Sequence, residues 1–175
     1  MKYFKLLILP LLLIIAACNE SGDASDAATK VPEGWLELDI SQAGTHYGLP
    51  MLINIPDENL AKGISEIMEG PSGGTQIKAG NDFNLEITTA PLTITEKKED
   101  IERNPLFKIT YITEEPNEIF YKAEIEGSDI VQHHFYSIKE IKGEKYAIED
   151  IRNEDYSEAG IKRMIEASRS LRAKS

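Results

Sequence analysis

The stretch FKITYITEEPNEIFYKAEIEGSDIVQHHFYSIKEIKGEKYAIEDI, residues 107–151, decides the fold class. Phe107, Ile109 and Tyr111 alternate with polar residues, and so do Ile119, Tyr121, Ala123 and Ile125. A period of two places each set on one face of a strand. Glu114-Glu115-Pro116-Asn117 separates the runs and predicts a hairpin with a loop of about four residues. Gly127-Ser128-Asp129 turns the chain again. Residues 130–141 then read as a long strand, Lys142-Gly143 as a tight turn, and residues 145–151 as its partner. The stretch is an antiparallel meander.

Downstream, residues 156–173 place Ile161, Met164, Ile165, Ser168 and Leu171 at i, i+3, i+4, i+7 and i+10. That spacing is one stripe of an amphipathic helix. Ser157 or Asp155 can cap it, and Asp155 has Glu158 three residues on. Lys162, Arg163, Arg169, Arg172 and Lys174 favour the C-terminal end of the dipole. Gly160 costs about 1 kcal/mol relative to alanine, so packing has to hold the first turn. The stripe is expected to lie on the face of Phe107, Ile109, Tyr111, Ile119 and Tyr121, with Phe135.

Upstream, residues 35–40 and 49–55 read as strands, the second closed by Pro56, which lacks a ladder donor. Residues 57–62 form about one helical turn before Gly63. Residues 64–68 and 75–79 flank the turn Gly70-Pro71-Ser72-Gly73-Gly74 as a hairpin. Phe83, Leu85, Ile87 and Thr89 alternate with Asn84, Glu86 and Thr88, the pattern of a strand with one wet face. Thr93 and Glu96 have capping-box spacing and start a short helix that ends before Pro105. Strands first and a helix last predict an α+β fold: a twisted antiparallel β-sheet of about 7–8 strands, with a short middle helix and a C-terminal amphipathic helix packed on one face. This order, with the apolar, proline-closed segment 49–56, resembles the PsbP-like group. That resemblance is one of fold and implies no catalytic residue.

The N-terminus predicts where the domain works. Lys2 and Lys5 precede an apolar run over residues 6–17, interrupted by Pro10. Twelve residues are too few for a spanning helix, which needs about 20. A positive start, a short apolar core and small residues at a boundary mark a secretory signal. Ile15-Ala16-Ala17-Cys18 resembles the lipobox of bacterial lipoproteins. The resemblance implies a signal peptide over 1–17, lipidation of Cys18 with cleavage before it, and attachment to the membrane through acyl chains. One chain anchors marginally, whereas two or more hold firmly. Residues 18–30 are the acylated cysteine and a flexible acidic tether, too poor in apolar groups to fold. Residues 31–175 are a single α+β domain of ordinary size. Asn19 stands where an aspartate would mark inner-membrane retention in enteric-type lipoproteins, so the resemblance favours the outer membrane over the inner. It leaves periplasmic and surface faces open.

The chain carries 19 Lys+Arg against 30 Asp+Glu. Loss of Lys2 and Lys5 with the signal makes the mature chain more acidic still. No basic cluster offers a nucleic-acid footprint. Cys18 is the sole cysteine. Once it is acylated, no disulfide is available and burial alone must stabilise the domain.

Candidate chemistry is sparse. His133 and His134 are adjacent on a strand, so their side chains point to opposite faces and cannot chelate one ion together. Either one is a binding or acid–base candidate, and His46 is the third histidine. Glu149, Asp150, Glu154 and Asp155 crowd the junction before the last helix, and Glu114, Glu115 and Glu118 crowd a turn. Calcium takes several such oxygens, but neither stretch has the Asp/Asn ladder and glycine of a calcium loop. Solvated charge, with capping by Asp155, is the preferred reading, and no metal or cofactor is implied. Ser72 lacks the strand-to-helix context of a nucleophile elbow. Among the aromatics, Phe120 and Tyr136 are candidates to line an outward binding surface. The preferred function is therefore a membrane-anchored envelope lipoprotein that binds or scaffolds an envelope protein or small ligand without catalysis. The alternative is a periplasmic or surface hydrolase using carboxylates and His133 or His134. A pocket with one of these histidines beside a carboxylate would favour the alternative.

Overall fold

The computed structural model describes residues 30–43, 46–89, 91–152 and 154–174. The expected signal, Cys18 and nearly all of the expected tether lie outside the described residues. Among the described residues the fold is α+β, with a seven-stranded antiparallel sheet and a separate three-stranded one. The small sheet holds β1 (Trp35–Asp39), β2 (Met51–Pro56) and the short C-terminal β10 (Arg172–Ala173), in the order β1-β2-β10. The large sheet runs β3-β4-β5-β9-β8-β7-β6. Its strands are β3 (Ser65–Glu69), β4 (Thr75–Ala79), β5 (Asn84–Thr89), β6 (Phe107–Glu115), β7 (Glu118–Ile125), β8 (Val131–Ile141) and β9 (Glu144–Asp150). The helices are α1 (Glu58–Ala61), α2 (Ile94–Glu102) and α3 (Glu158–Ser170).

The meander forms as its alternation predicts, with one change. The loop between β6 and β7 is two residues, not four, because Glu114 and Glu115 continue the ladder opposite Ile119 and Glu118. A register shift between Tyr111 and Thr113 absorbs Ile112 as an extra residue, the work of a β-bulge. At the β8–β9 turn, Lys142 and Gly143 both have positive φ (53° and 84°). That pair of dihedrals is what a two-residue hairpin turn requires.

Two cores lie on opposite faces of the large sheet. The larger joins Phe120, Phe135, Ile148, Ile87 and Ile77 to Ile53 and Ile55 of β2, to Ile161 and Met164 of α3, and to Leu171 just after it. The smaller joins Ile119, Tyr121, Tyr136 and Ala147 to Ile101 of α2, with Ile109 and Tyr111 packed against it. The α3 stripe is core, as its spacing requires, but the face assigned to it is corrected. Of the expected cover only Phe135 is met: the stripe covers the Phe120 and Phe135 face, whereas α2 covers the Ile119 and Tyr121 face. Both faces are apolar, so period-two patterning alone does not choose between them.

Three other expectations change. Residues 35–40 and 49–55 do not join the main sheet but form their own. The last helix ends at Ser170; Leu171 is extended (φ −56°, ψ 129°) and Arg172–Ala173 pair with Met51 and Leu52. Finally, the face of β5 expected to be wet is buried except at Thr88, which is half-buried. The strand is flanked by β4 and β9, and Asn84 and Glu86 are buried. Burial is tolerated because their polar atoms are satisfied. Asn84 bonds Gln76 and Glu154, while Glu86 accepts from the backbone N–H groups of Ser72 and Gly74.

The caps explain Gly160. Ser157 caps α3 by accepting from Gly160 N–H, and Thr93 with Glu96 forms the capping box of α2. Asp82 binds Ser157 N–H at 2.8 Å and Arg163 at 2.7 Å. A Cβ on Gly160 would stand 2.4 Å from Asp82 Oδ1 and 2.5 Å from its backbone oxygen. Alanine there should destabilise by about 1–3 kcal/mol through overpacking, although it is the better helix former. A denaturant melt in which Gly160→Ala stabilises the protein would refute this close approach.

Truncating the stripe tests the larger core. Ile165→Ala should cost about 2–5 kcal/mol, the range for a buried aliphatic. Glu166→Ala, on the exposed side of α3, should change stability by no more than about 0.5 kcal/mol. Equal effects in denaturant melts would contradict the packing.

Candidate functional site

The polar groups of interest gather on the α2 face, where β9 ends one pair short of β8. The ladder between these strands begins at Tyr136 opposite Glu149. Phe135 N–H therefore has no backbone acceptor in β9, and the Asp150 carboxylate takes that place. Its Oδ1 accepts from Phe135 N–H at 2.7 Å. Its Oδ2 lies 2.6 Å from His134 Nδ1. An ionised carboxylate can only accept, so Nδ1 carries the proton and donates. Asp150 is 2 % exposed and His134 is 6 % exposed. A buried carboxylate with two donors on it is a satisfied group, and it fixes both ring orientation and tautomer.

The other imidazole nitrogen, Nε2, makes no hydrogen bond with any described residue. His134 lines a groove of about 460 Å³ together with Tyr121, Gln132, Asn104, Asp100 and Arg152. Phe107, Ile109 and Ala123 give it an apolar wall. Tyr121 is 4 % exposed, and its ring centre lies 5.4 Å from that of His134. Its hydroxyl also lacks a hydrogen-bond partner among the described residues. Burial pushes the Tyr121 phenol well above its ordinary range, against the opposing charge of Arg152, so the O–H stays protonated. A second hollow of about 290 Å³ shares Asp100 and Arg152 and holds Lys97 and Glu149. Lys97 bonds Glu149 at 2.5 Å and lies 4.4 Å from the centre of the Tyr136 ring.

The structure separates most of the residues singled out from sequence. His133 and His134 do point apart. His133 is half-buried, 6.1 Å from Phe120 between ring centres, while His134 enters the groove. His46 is exposed beside the Ser72–Thr75 turn and is not part of the groove. Phe120 and Tyr136 offer no outward surface, a correction, because both are 2 % exposed. Phe120 belongs to the larger core and Tyr136 to the smaller, with the Tyr136 hydroxyl donating to Leu92 C=O at 2.8 Å. Glu149, Asp150, Glu154 and Asp155 do not converge. Glu149 serves Lys97, Asp150 serves His134, Glu154 bonds Asn84 and Tyr156, and Asp155 is exposed. The turn carboxylates Glu114 and Glu118 pair with Lys98 and Arg169. No group of three or more His, Cys, Asp or Glu among the described residues is placed to hold a metal ion.

Tyr121, Gln132 and Arg152 were not singled out from sequence. Tyr121 reads as core by its alternation, and so it is by burial; only the unpartnered hydroxyl marks it otherwise. Gln132 precedes His134 by two and so shares its strand face, a signal available in the sequence. Comparison with known proteins finds no family model that matches the chain, and no curated protein or solved structure matches it. Function is therefore read from the chain's own side chains.

Removing the carboxylate tests the organisation of the site. Asp150→Asn keeps one oxygen for Phe135 N–H but turns a donor toward His134, so the imidazole must give up its Nδ1 proton and the charge-assisted bond is lost. It should cost about 1–3 kcal/mol or more. Asp155→Asn, on an exposed residue, should stay within about 0.5 kcal/mol. Thermal or denaturant melts that rank the two the other way would contradict the geometry.

Proposed function

We propose that this chain is a lipid-anchored envelope protein, held through Cys18, whose domain binds a small ligand in the groove between α2 and the large sheet without turning it over. The observation that carries the binding reading is the pair of unpartnered polar atoms, His134 Nε2 and the Tyr121 hydroxyl, on side chains more than nine-tenths buried at one groove. Both atoms keep contact with solvent in the groove, where a ligand can take the place of water. The volume falls in the range of small-molecule sites, about 300–1,000 Å³. Anchoring rests on the lipobox resemblance and the short apolar run. No helix among the described residues is long and apolar enough to cross a membrane. The outer membrane is the preferred address, on Asn19.

The hydrolase reading has one observation in its favour. His134 oriented by Asp150 is the arrangement of a general base and its positioning carboxylate. No serine, threonine or cysteine lines this groove among the described residues, so water would have to be the nucleophile. Binding is preferred because it uses every group present and requires no further one.

Two measurements test the proposal. Cys18→Ser should release the protein from membranes or leave the signal uncut. Mass spectrometry of the mature N-terminus should find Cys18 acylated, and a free Cys18 or another cleavage site would sink the anchor. Equilibrium dialysis against a small-molecule extract of the cells tests the groove. The wild type should retain a compound of unchanged mass, and Gln132→Trp, which fills the groove, should not. Retention by both would remove the groove from the account, and recovery of a hydrolysed product would favour the enzyme.

A further inference from the structure

We infer a second binding site, separate from the groove: a hollow against the small sheet that takes a neutral saccharide. It holds about 310 Å³ and is lined by Pro32, Trp35, Asn54, Glu166 and Arg169. That size is at the low end of the range for small-molecule sites, about 300–1,000 Å³. Register brings the lining together. Trp35 and Glu37 of β1 lie opposite Pro56 and Asn54 of β2. Residues two apart on a strand share a face, so Trp35 and Asn54 are diagonal neighbours on one side of the sheet. That side is opposite the one on which Ile53 and Ile55 enter the larger core. The last turns of α3 add Glu166 and Arg169.

Asn54 marks the hollow as more than a surface dent. It is 3 % exposed. Arg172 Nη1 donates to its Oδ1 at 3.4 Å, which assigns the other branch of the amide as the donor. That Nδ2 makes no hydrogen bond with any described residue, yet it is not sealed from solvent. Arg169 is held by Glu118 through Nε at 3.2 Å and Nη2 at 2.6 Å, which leaves Nη1 as a second placed donor. Glu166 is exposed and offers acceptor oxygens. Trp35 is half-buried and, with Pro32, makes the apolar part of the lining. Neither sign of charge is called for. Glu118 already meets Arg169, and the charge of Glu166 also acts on that guanidinium. A plain hydrocarbon would leave the donors of Asn54 and Arg169 unmet. What fits is an apolar ring with donors and acceptors around it. A pyranose is such a ring. Its C–H face packs on an aromatic side chain, and each hydroxyl can donate to a carboxylate or accept from an amide or guanidinium.

Trp35 is the sole tryptophan, so its fluorescence reports on this hollow alone. The full chain, in a detergent without a sugar headgroup, is titrated with cellobiose, maltose and N,N′-diacetylchitobiose. At least one of them should shift or quench the emission saturably. Cyclohexanol, with the apolar ring but a single hydroxyl, should bind at least about tenfold more weakly, the size expected from losing a hydrogen bond or more. Glu166→Ala should weaken the disaccharide several-fold without moving the denaturant melt. Asn54→Ser should weaken it as well, and Glu166→Ala with cyclohexanol keeps the test valid if that variant fails to fold. No saturable response to any of the three saccharides overturns the site. Cyclohexanol or the tripeptide Ala-Pro-Ala binding as tightly as the best disaccharide overturns the saccharide class. A response that Glu166→Ala and Asn54→Ser leave unchanged overturns the location.

Discussion

A carboxylate buried in a protein has to be met by donors, and Asp150 meets that demand at the frayed end of a ladder. The β8–β9 pairing begins one residue too late to satisfy Phe135 N–H from the backbone. The Asp150 side chain supplies the missing acceptor and uses its second oxygen to hold His134. One group therefore closes the sheet and aims an imidazole. The aim matters because the ring's other nitrogen then faces a groove that Tyr121 and Arg152 also border. Structure and site share the same bond, so neither can be altered alone.

The two cores explain why the groove is where it is. On one face of the large sheet, α3 and β2 together supply enough apolar surface to seal Phe120, Phe135 and Ile148. On the other, α2 has only nine residues, and its buried residues are Lys97 and Ile101. It seals Tyr136 and Ile119 but not the sheet end where β7, β8 and β6 carry Ala123, Gln132 and Phe107. The remaining hollow is the groove. Lys97 shows how sparingly this face is covered: its ammonium lies over the Tyr136 ring and is met by Glu149. A cation over an aromatic face is attracted by the ring quadrupole.

Much of this was legible in the sequence. Alternation located the strands of the meander, and the 3.6-residue stripe located α3 and its buried side. What alternation does not contain is the choice of face. Ile119 and Tyr121 are as apolar as Phe120 and Phe135, and only the tertiary partners of α3 decide between them. The separate small sheet was illegible for a similar reason: β1 and β2 look like any edge hairpin until the C-terminal residues return to pair with Met51 and Leu52. For the site, His134 and Asp150 were each singled out, but apart, one as a lone histidine and one among acidic junction residues. Their contact depends on β9 ending where it does, a matter of register over sixteen residues. Tyr121 was hidden by its own burial, since a core tyrosine and a groove tyrosine have the same pattern.

The site depends on His134, and its imidazole can be observed directly by ¹⁵N NMR of the folded protein. The expected result is a proton held on Nδ1 in a short hydrogen bond to Asp150, with slow solvent exchange. The Nε2 resonance should respond when a ligand enters the groove. A ring protonated only on Nε2, or an Nδ1 proton that exchanges freely, would contradict this arrangement.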